Sequence, residues 1–369
     1  MRLYIDGLLF RHTGVGRIYE NLLDGFAASP EISSIRTLVP SARKIEFLER
    51  FPSKKIEATF ADFPLDFREY LKKGFLINSL KPLSDIYYFP FHNVPYFLDG
   101  RVVCTVCDVI PITPFYPLPW YVRQRFRIAF SHALGRSSRV ICISEFTKSQ
   151  VLEYFGGDPG RLGVIYPPLS SNLAGVKQNT VPGDAPIVEG DYLLYVGNRH
   201  VHKNLKCLVD AFALLAAQFP KLKLVIAGRR IRAHDEVDEA LETCKSRDRI
   251  LAFTEATDRE IDNLYSFAKV FVFPTLIEGF GIPPLEAMER GVAAVCSDIP
   301  ALRESCGGEA IYAKPDDAQD FARAITKALT VPRSQAEIDA GRKRITRFCP
   351  ENIVNQYIGI FRECLPGSK

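Results

Sequence analysis

The sequence predicts an α/β protein made of two doubly wound parallel sheets, and three observations carry that reading. The chain has 369 residues, which at roughly 100 to 200 residues per domain gives two domains. Short apolar runs rich in β-branched residues alternate with segments of helical period along almost the whole length, the pattern of βα units. Near the middle, PPLSSNLAGVKQNTVPGDAPIVEG, rich in Pro, Gly, Ser and Asn, breaks both periods and reads as a linker. The expected divisions are therefore 1–168 and 191–348 for two Rossmann-like domains, 169–190 for the linker, and 349–369 for a C-terminal helix.

In chain order, the strands of the first half fall at 2–6, 35–39, 86–89, 102–106, 140–143 and 163–165, each a short apolar run bounded by polar or turn residues. Helices lie between them, including 16–28 and 145–155. The second half repeats the plan with strands at 192–196, 222–227, 249–252, 270–273, 293–296 and 310–312, and with helices such as 203–218 and 258–267. In open α/β sheets, ligands bind beyond the carboxyl ends of the strands. Chemistry is therefore expected in strand-to-helix loops, and two sheets facing each other across a linker would share an interdomain cleft.

Composition narrows the function. With 47% hydrophobic and 24% charged residues, disorder and collagen-like repeats are excluded for the chain as a whole. No stretch approaches the roughly 18 apolar residues of a membrane-spanning helix, and Asp6 interrupts what would be the core of a signal peptide. A cytoplasmic protein is expected. A net charge of +4 is a mild excess, whereas nucleic-acid binders usually show a much stronger basic stripe, so no nucleic-acid partner is expected. Nine cysteines read as reduced thiols, because a chain this large needs no disulfides. Cys104 and Cys107 form a CxxC inside a β-type run whose residues three apart point to opposite faces, and no second CxxC completes a metal site.

The most informative stretch is FVFPTLIEGFGIPPLEAMERGVAAVCSDIPALRE, residues 271–304. Gly279 and Gly281 bracket Phe280 in a loop where missing side chains let the backbone approach a ligand and take positive φ. Pro283 and Pro284 pre-set a helix whose free amides suit a phosphate or a sugar oxygen. Glu278 precedes that helix, and Glu286 is placed in its first turn. Ionised carboxylates accept hydrogen bonds and donate none, so the pair suits hexose or ribose diols. Glu286 alone has a second reading, as an acidic residue complementing the helix dipole.

EGFGIPPLE resembles the signature of family 4 glycosyltransferases, retaining enzymes of the GT-B fold marked by Glu, seven residues, Glu. The resemblance implies that Glu278 contacts the transferred sugar, that Glu286 holds the nucleotide ribose, and that amides of Gly279, Phe280 and Gly281 contact donor sugar and diphosphate. YVGNRHVHKNLKCLVDAFALL is similar to the family's diphosphate loop and helix, implying Lys203 and Arg199 as the neutralising basic residues. His200 and His202 there read as exposed loop residues. IDGLLFRHTGVGRIYENLL is similar to the family's first strand, glycine turn and helix, with Gly14 and Gly16 approaching the diphosphate. The resemblance also implies that the loop TEAT contacts the base, with Glu255, Ala256 and Thr257 as the candidates. The family strand that ends in His-Asp here ends Cys107-Asp108. Asp108 then either positions an acceptor or sugar hydroxyl or is a turn residue, and His92 in FPFHNVP is a second acceptor candidate.

The resemblance implies a hexosyltransferase, with GDP-mannose as the first donor choice and a glycan or polyprenyl-diphosphate-linked saccharide as acceptor, in cell-surface polysaccharide assembly. The first domain would bind the acceptor and the second the nucleotide sugar. No Asp-x-Asp occurs in the chain, so no metal and no cofactor is expected, and Glu278, Asp108, Lys203 and Arg199 are the catalytic candidates. Two alternatives share the fold: a non-catalytic nucleotide-sugar-binding homologue, and a sugar-nucleotide epimerase. The segment 114–139 holds Trp120, a stripe of Val122, Phe126, Ala129, Phe130 and Ala133, and Arg123, Arg125, Arg127 and Arg136. It reads either as a helix packed on its sheet or as a peripheral contact with anionic lipid on the cytoplasmic face of the inner membrane.

Overall fold

The structure, a computed structural model, describes residues 1–11, 13–62, 67–80, 83–169, 185–231 and 235–367. The chain divides into two compact units. Unit 1 comprises Met1–Ile112, Leu118–Ala174 and Phe348–Lys369, and unit 2 comprises Thr113–Pro117 and Gly175–Arg347. Most of the expected linker, 170–184, lies outside the described residues.

Unit 1 contains β1 (Arg2–Asp6), α1 (Thr13–Ala28), β2 (Ser34–Val39), α2 (Lys44–Arg50), β3 (Ile56–Phe60), α3 (Phe67–Ser79), β4 (Ile86–Phe89), β5 (Val102–Val106), α4 (Trp120–Arg136), β6 (Arg139–Cys142), α5 (Glu145–Phe155) and β7 (Leu162–Val164). Its strands form one parallel sheet in the order β3-β2-β1-β4-β5-β6-β7. β4 and β5 are buried from end to end, as expected where helices cover both faces of a parallel sheet and the strands become unbroken apolar runs. β3 escaped the sequence reading because it is an edge strand, half-exposed, with little alternation to mark it.

Unit 2 contains β8 (Tyr192–Val196), α6 (Leu205–Leu215), β9 (Lys223–Ala227), α7 (Glu236–Thr243), β10 (Ile250–Phe253), α8 (Asp258–Phe267), β11 (Val270–Phe273), α9 (Ile282–Glu289), β12 (Ala293–Ser297), α10 (Pro300–Cys306), β13 (Ile311–Ala313), α11 (Ala318–Thr330) and α12 (Gln335–Ile345). Its parallel sheet runs β10-β9-β8-β11-β12-β13. The final helix, α13 (Pro350–Glu363), packs within unit 1. Tyr357 and Phe361 meet Tyr88 and Phe26 there at ring-centroid distances of 5.3 to 6.2 Å. A Cβ on Gly25 would stand 2.3 Å from Val354 Cγ2, so α1 and α13 touch backbone to side chain. Each fully buried ring contributes about 2 to 3 kcal/mol, and this seam fixes α13 on unit 1.

In each sheet the strand order reverses once, between β1 and β4 in unit 1 and between β8 and β11 in unit 2. Loops leaving neighbouring strands in opposite directions open a crevice at such a point. Three boundaries differ from the sequence expectation. α1 begins at Thr13, so Gly14 and Gly16 lie inside the first turns of the helix instead of in a turn before it. α6 begins at Leu205, after a 3-10 turn over Val201–Lys203 and the left-handed Asn204 (φ 54°), so Lys203 precedes the helix. Glu286 is the fifth residue of α9 and sits in its second turn, where the dipole reading loses its basis.

Candidate active site

The loops that follow β8 and β11, the two strands at the reversal in unit 2, are tied together. The carbonyl of His202 accepts hydrogen bonds from Leu276 N at 2.8 Å and from the buried Thr275 Oγ1 at 3.0 Å. This zipper brings the Lys203 ammonium onto Glu278 Oε1 as an ion pair. Their side chains are only 16% and 11% exposed, and the Lys203 nitrogen also lies 5.4 Å from the centre of the Phe273 ring. A cation and an anion thus stand side by side beyond the carboxyl ends of adjacent strands, the first suited to a phosphate and the second to sugar hydroxyls.

Gly279, Phe280 and Gly281 follow and are buried. Gly281 has φ 94°, and a Cβ there would stand 2.3 Å from Leu302 Cδ2 on α10. Only glycine satisfies both the left-handed backbone and the close approach. Behind this loop Glu286 is buried, and its carboxylate accepts a 2.9 Å hydrogen bond from the Tyr265 hydroxyl on α8. Arg290 holds the Glu286 carbonyl at 2.9 Å, pairs with Asp262 and lies over the Tyr265 ring. One turn beyond, burial pushes the Glu289 carboxyl up to about 8. Arg290 pulls it down, and Glu286 and Asp262 push it further up.

Other expected residues fall differently. Arg199 is buried with its guanidinium between Asp235 (3.8 Å) and Asp238 (3.7 Å), so its charge is already matched by two carboxylates at the start of α7. His202 is buried rather than exposed, and burial together with the Lys203 and His200 charges pulls its imidazole down to about 2. His200 is half-buried. Glu255 is exposed and Ala256 half-buried, immediately before Thr257, which caps α8 in a reciprocal box with Glu260.

The remaining candidates lie in unit 1. Gly14 is exposed with open space around it, and a Cβ on Gly16 would stand 2.6 Å from Leu9 O, so Gly16 seats the helix on the loop before it. Asp108 accepts Ile110 N at 3.0 Å, which is the turn role the sequence left open. His92 is a core residue, not an exposed acceptor contact. Its ring stacks on Phe130 at 3.7 Å and lies tilted against Phe91 at 3.9 Å, and burial lowers its imidazole to about 3. The Cys107 thiol is buried against Pro90 O and burial raises it, which leaves it protonated and unreactive.

Tyr265 and Thr275 carry no signal in the sequence. Each acts across the fold, and the partner of Tyr265, Glu286, lies on a different helix with no local spacing rule to announce it.

Two parallel Rossmann-like sheets, each covered by helices, give the chain the GT-B fold. Residues 180–344 match the family model of the glycosyl transferases group 1. It is 27% identical over 279 residues to the Escherichia coli serotype-specific mannosyltransferase WbdA, covering 72% of this chain and 33% of WbdA. The chain therefore spans about a third of the length of that relative. It is 23% identical over 377 residues to the Escherichia coli O-antigen chain mannosyltransferase B, covering 95% of this chain and 96% of the relative. Among solved structures, Anabaena HepE in complex with UDP and glucose superposes with a TM-score of 0.77 at 15% identity, covering 98% of this chain and 99% of HepE.

Proposed function

We propose that this protein transfers a hexosyl group, mannose from GDP-mannose as the first choice, to a glycan or lipid-linked saccharide in the assembly of a cell-surface polysaccharide, with retention of anomeric configuration. The Lys203–Glu278 pair carries the reading. Lys203 would exchange Glu278 for the donor diphosphate and neutralise the charge that develops as the glycosidic bond breaks. Glu278, released from the lysine, would accept the sugar hydroxyls, and Glu286 would accept the ribose diol while Tyr265 holds its second oxygen. Amides of Gly279, Phe280 and Gly281, at the start of α9, would line the diphosphate path. Arg199 is left out of the diphosphate contact because two aspartates already neutralise it.

The mannosyl choice is supported by the names of the two Escherichia coli relatives. The guanine choice rests on the sequence resemblance alone. A thermal-shift panel of GDP, UDP, ADP and their common sugars tests both, because a ligand at about 100 times its dissociation constant raises stability by about 2.7 kcal/mol. GDP and GDP-mannose giving the largest shift is the expected result, and a larger shift with UDP-glucose would move the donor assignment.

No helix among the described residues is long and apolar enough to cross a membrane. A lipid-linked acceptor would nonetheless bring the protein to a bilayer surface, and α4 supplies a face for it. Trp120 is 76% exposed, and Tyr121, Ile128 and Arg125 are exposed beside it on the helix. Arg136 and Arg127 are spent on backbone carbonyls of Gly100 and Tyr154. Sedimentation with anionic vesicles that weakens on Trp120→Ala and with added salt is the expected result. Indifference to both would refute the membrane contact.

A further inference from the structure

The segment Thr113–Pro117 belongs to unit 2, although the residues on either side of it, Ile112 and Leu118, belong to unit 1. In unit 2, Tyr116 reaches the turn that precedes Lys203. Its hydroxyl lies 3.1 Å from His200 Nδ1, and its ring centroid lies 5.5 Å from that of His200 and 5.6 Å from that of His202. The two imidazoles are themselves stacked at 5.5 Å with planes 18° apart. Three rings thus form a triangle at the turn Val201–Lys203, whose His202 carbonyl is held by Thr275 and Leu276.

A three-residue 3-10 turn has poor hydrogen-bond geometry of its own, so its shape is set by what packs on it. Lys203 emerges from this turn on a flexible four-carbon stem, and the worth of its point charge falls with distance from a phosphate. We infer that Tyr116 is a positioning residue for Lys203: by clamping His200 and His202 it fixes the turn from which the ammonium is aimed at the diphosphate of the donor. The inference rests on the proposed role of Lys203. It adds that a segment whose neighbours in the chain belong to the other unit completes the diphosphate seat.

The experiment compares GDP with GMP by calorimetric titration of the full chain and its Lys203→Ala, Tyr116→Ala and Tyr116→Phe variants, with the uridine pair used instead if the thermal-shift panel selects UDP. Lys203→Ala is expected to weaken GDP by more than about tenfold and to leave GMP unchanged. Tyr116→Ala is expected to do the same at about tenfold, and Tyr116→Phe, which keeps the ring, at about threefold. GDP binding unchanged in both tyrosine variants while Lys203→Ala loses it would overturn the role of Tyr116. Equal weakening of GDP and GMP by Tyr116→Ala would also overturn it, since that marks general packing. Unchanged GDP binding in Lys203→Ala would instead overturn the donor-site reading beneath it. Should Tyr116→Ala melt below the assay temperature, Tyr116→Phe decides: a loss confined to GDP supports the inference and no loss refutes it.

Discussion

The ammonium of Lys203 and the carboxylate of Glu278 form an ion pair that joins the loops following β8 and β11. Removing one partner leaves the other largely buried and uncompensated, whereas removing both leaves a neutral gap. Lys203→Met alone should therefore destabilise the fold by about 1 to 3 kcal/mol, and the double variant Lys203→Met, Glu278→Gln should recover much of that loss. Denaturant unfolding of the four proteins in the cycle measures it. Additive losses would show that the two groups do not interact.

Gly281→Ala combines a strained left-handed residue with a clash against Leu302. A cost of about 2 to 4 kcal/mol is expected, from backbone strain plus displaced packing. The same change should weaken the donor because the loop carrying Glu278 must move. Unfolding and donor titration on one preparation check both, and a variant as stable as the wild type would contradict the geometry.

Tyr265→Phe removes the hydroxyl that holds Glu286 Oε2 and leaves the ring in place. Nucleotide binding should fall by roughly tenfold to a hundredfold, the value of one hydrogen bond to a charged group, with little change in turnover at saturating donor. Full retention of nucleotide affinity would remove Tyr265 from the account.

Burial raises the Glu289 carboxyl to about 8 in the folded protein, while in the unfolded chain it ionises near about 4.3. Between these values the folded state binds the extra proton, so Glu289 makes stability fall as pH rises through the window. Glu289→Gln should melt like the wild type below that window and above it in temperature beyond pH 8. Parallel melting curves across the range would show that the carboxyl is ionised in the fold.

Much of this site was legible because it is local. Glu278, Gly281 and the two prolines lie within one short motif, and glycine's positive φ and the helix start follow from residue type alone. The alternation of strands and helices was equally plain, since buried parallel strands read as unbroken apolar runs. What stayed hidden depends on distant parts of the chain. His202 reads as a loop histidine because Thr275, which holds its carbonyl, comes from the loop after another strand. Arg199 reads as a free cation because Asp235 and Asp238 reach it only through the fold. His92 reads as accessible until Phe130, on α4, covers it. The edge strand β3 carried too little burial to leave a pattern.

Lys203 is proposed to supply the positive charge for the diphosphate, and no Asp-x-Asp is present to bind a bridging cation. Turnover should persist after exhaustive treatment with a chelator. Loss of activity that returns on adding a divalent cation would require a metal in the mechanism.

Glu278 is proposed to serve the transferred sugar and Glu286 the nucleotide. Measuring nucleotide affinity and turnover side by side for Glu278→Gln and Glu286→Gln tests it most directly. The account predicts that Glu278→Gln lowers kcat by about a hundredfold, the scale of one lost transition-state contact, while GDP binds nearly as before. Glu286→Gln should instead weaken GDP by about tenfold with kcat largely retained at saturating donor. The reverse pattern, with Glu278 governing nucleotide affinity and Glu286 governing turnover, would contradict the assignment.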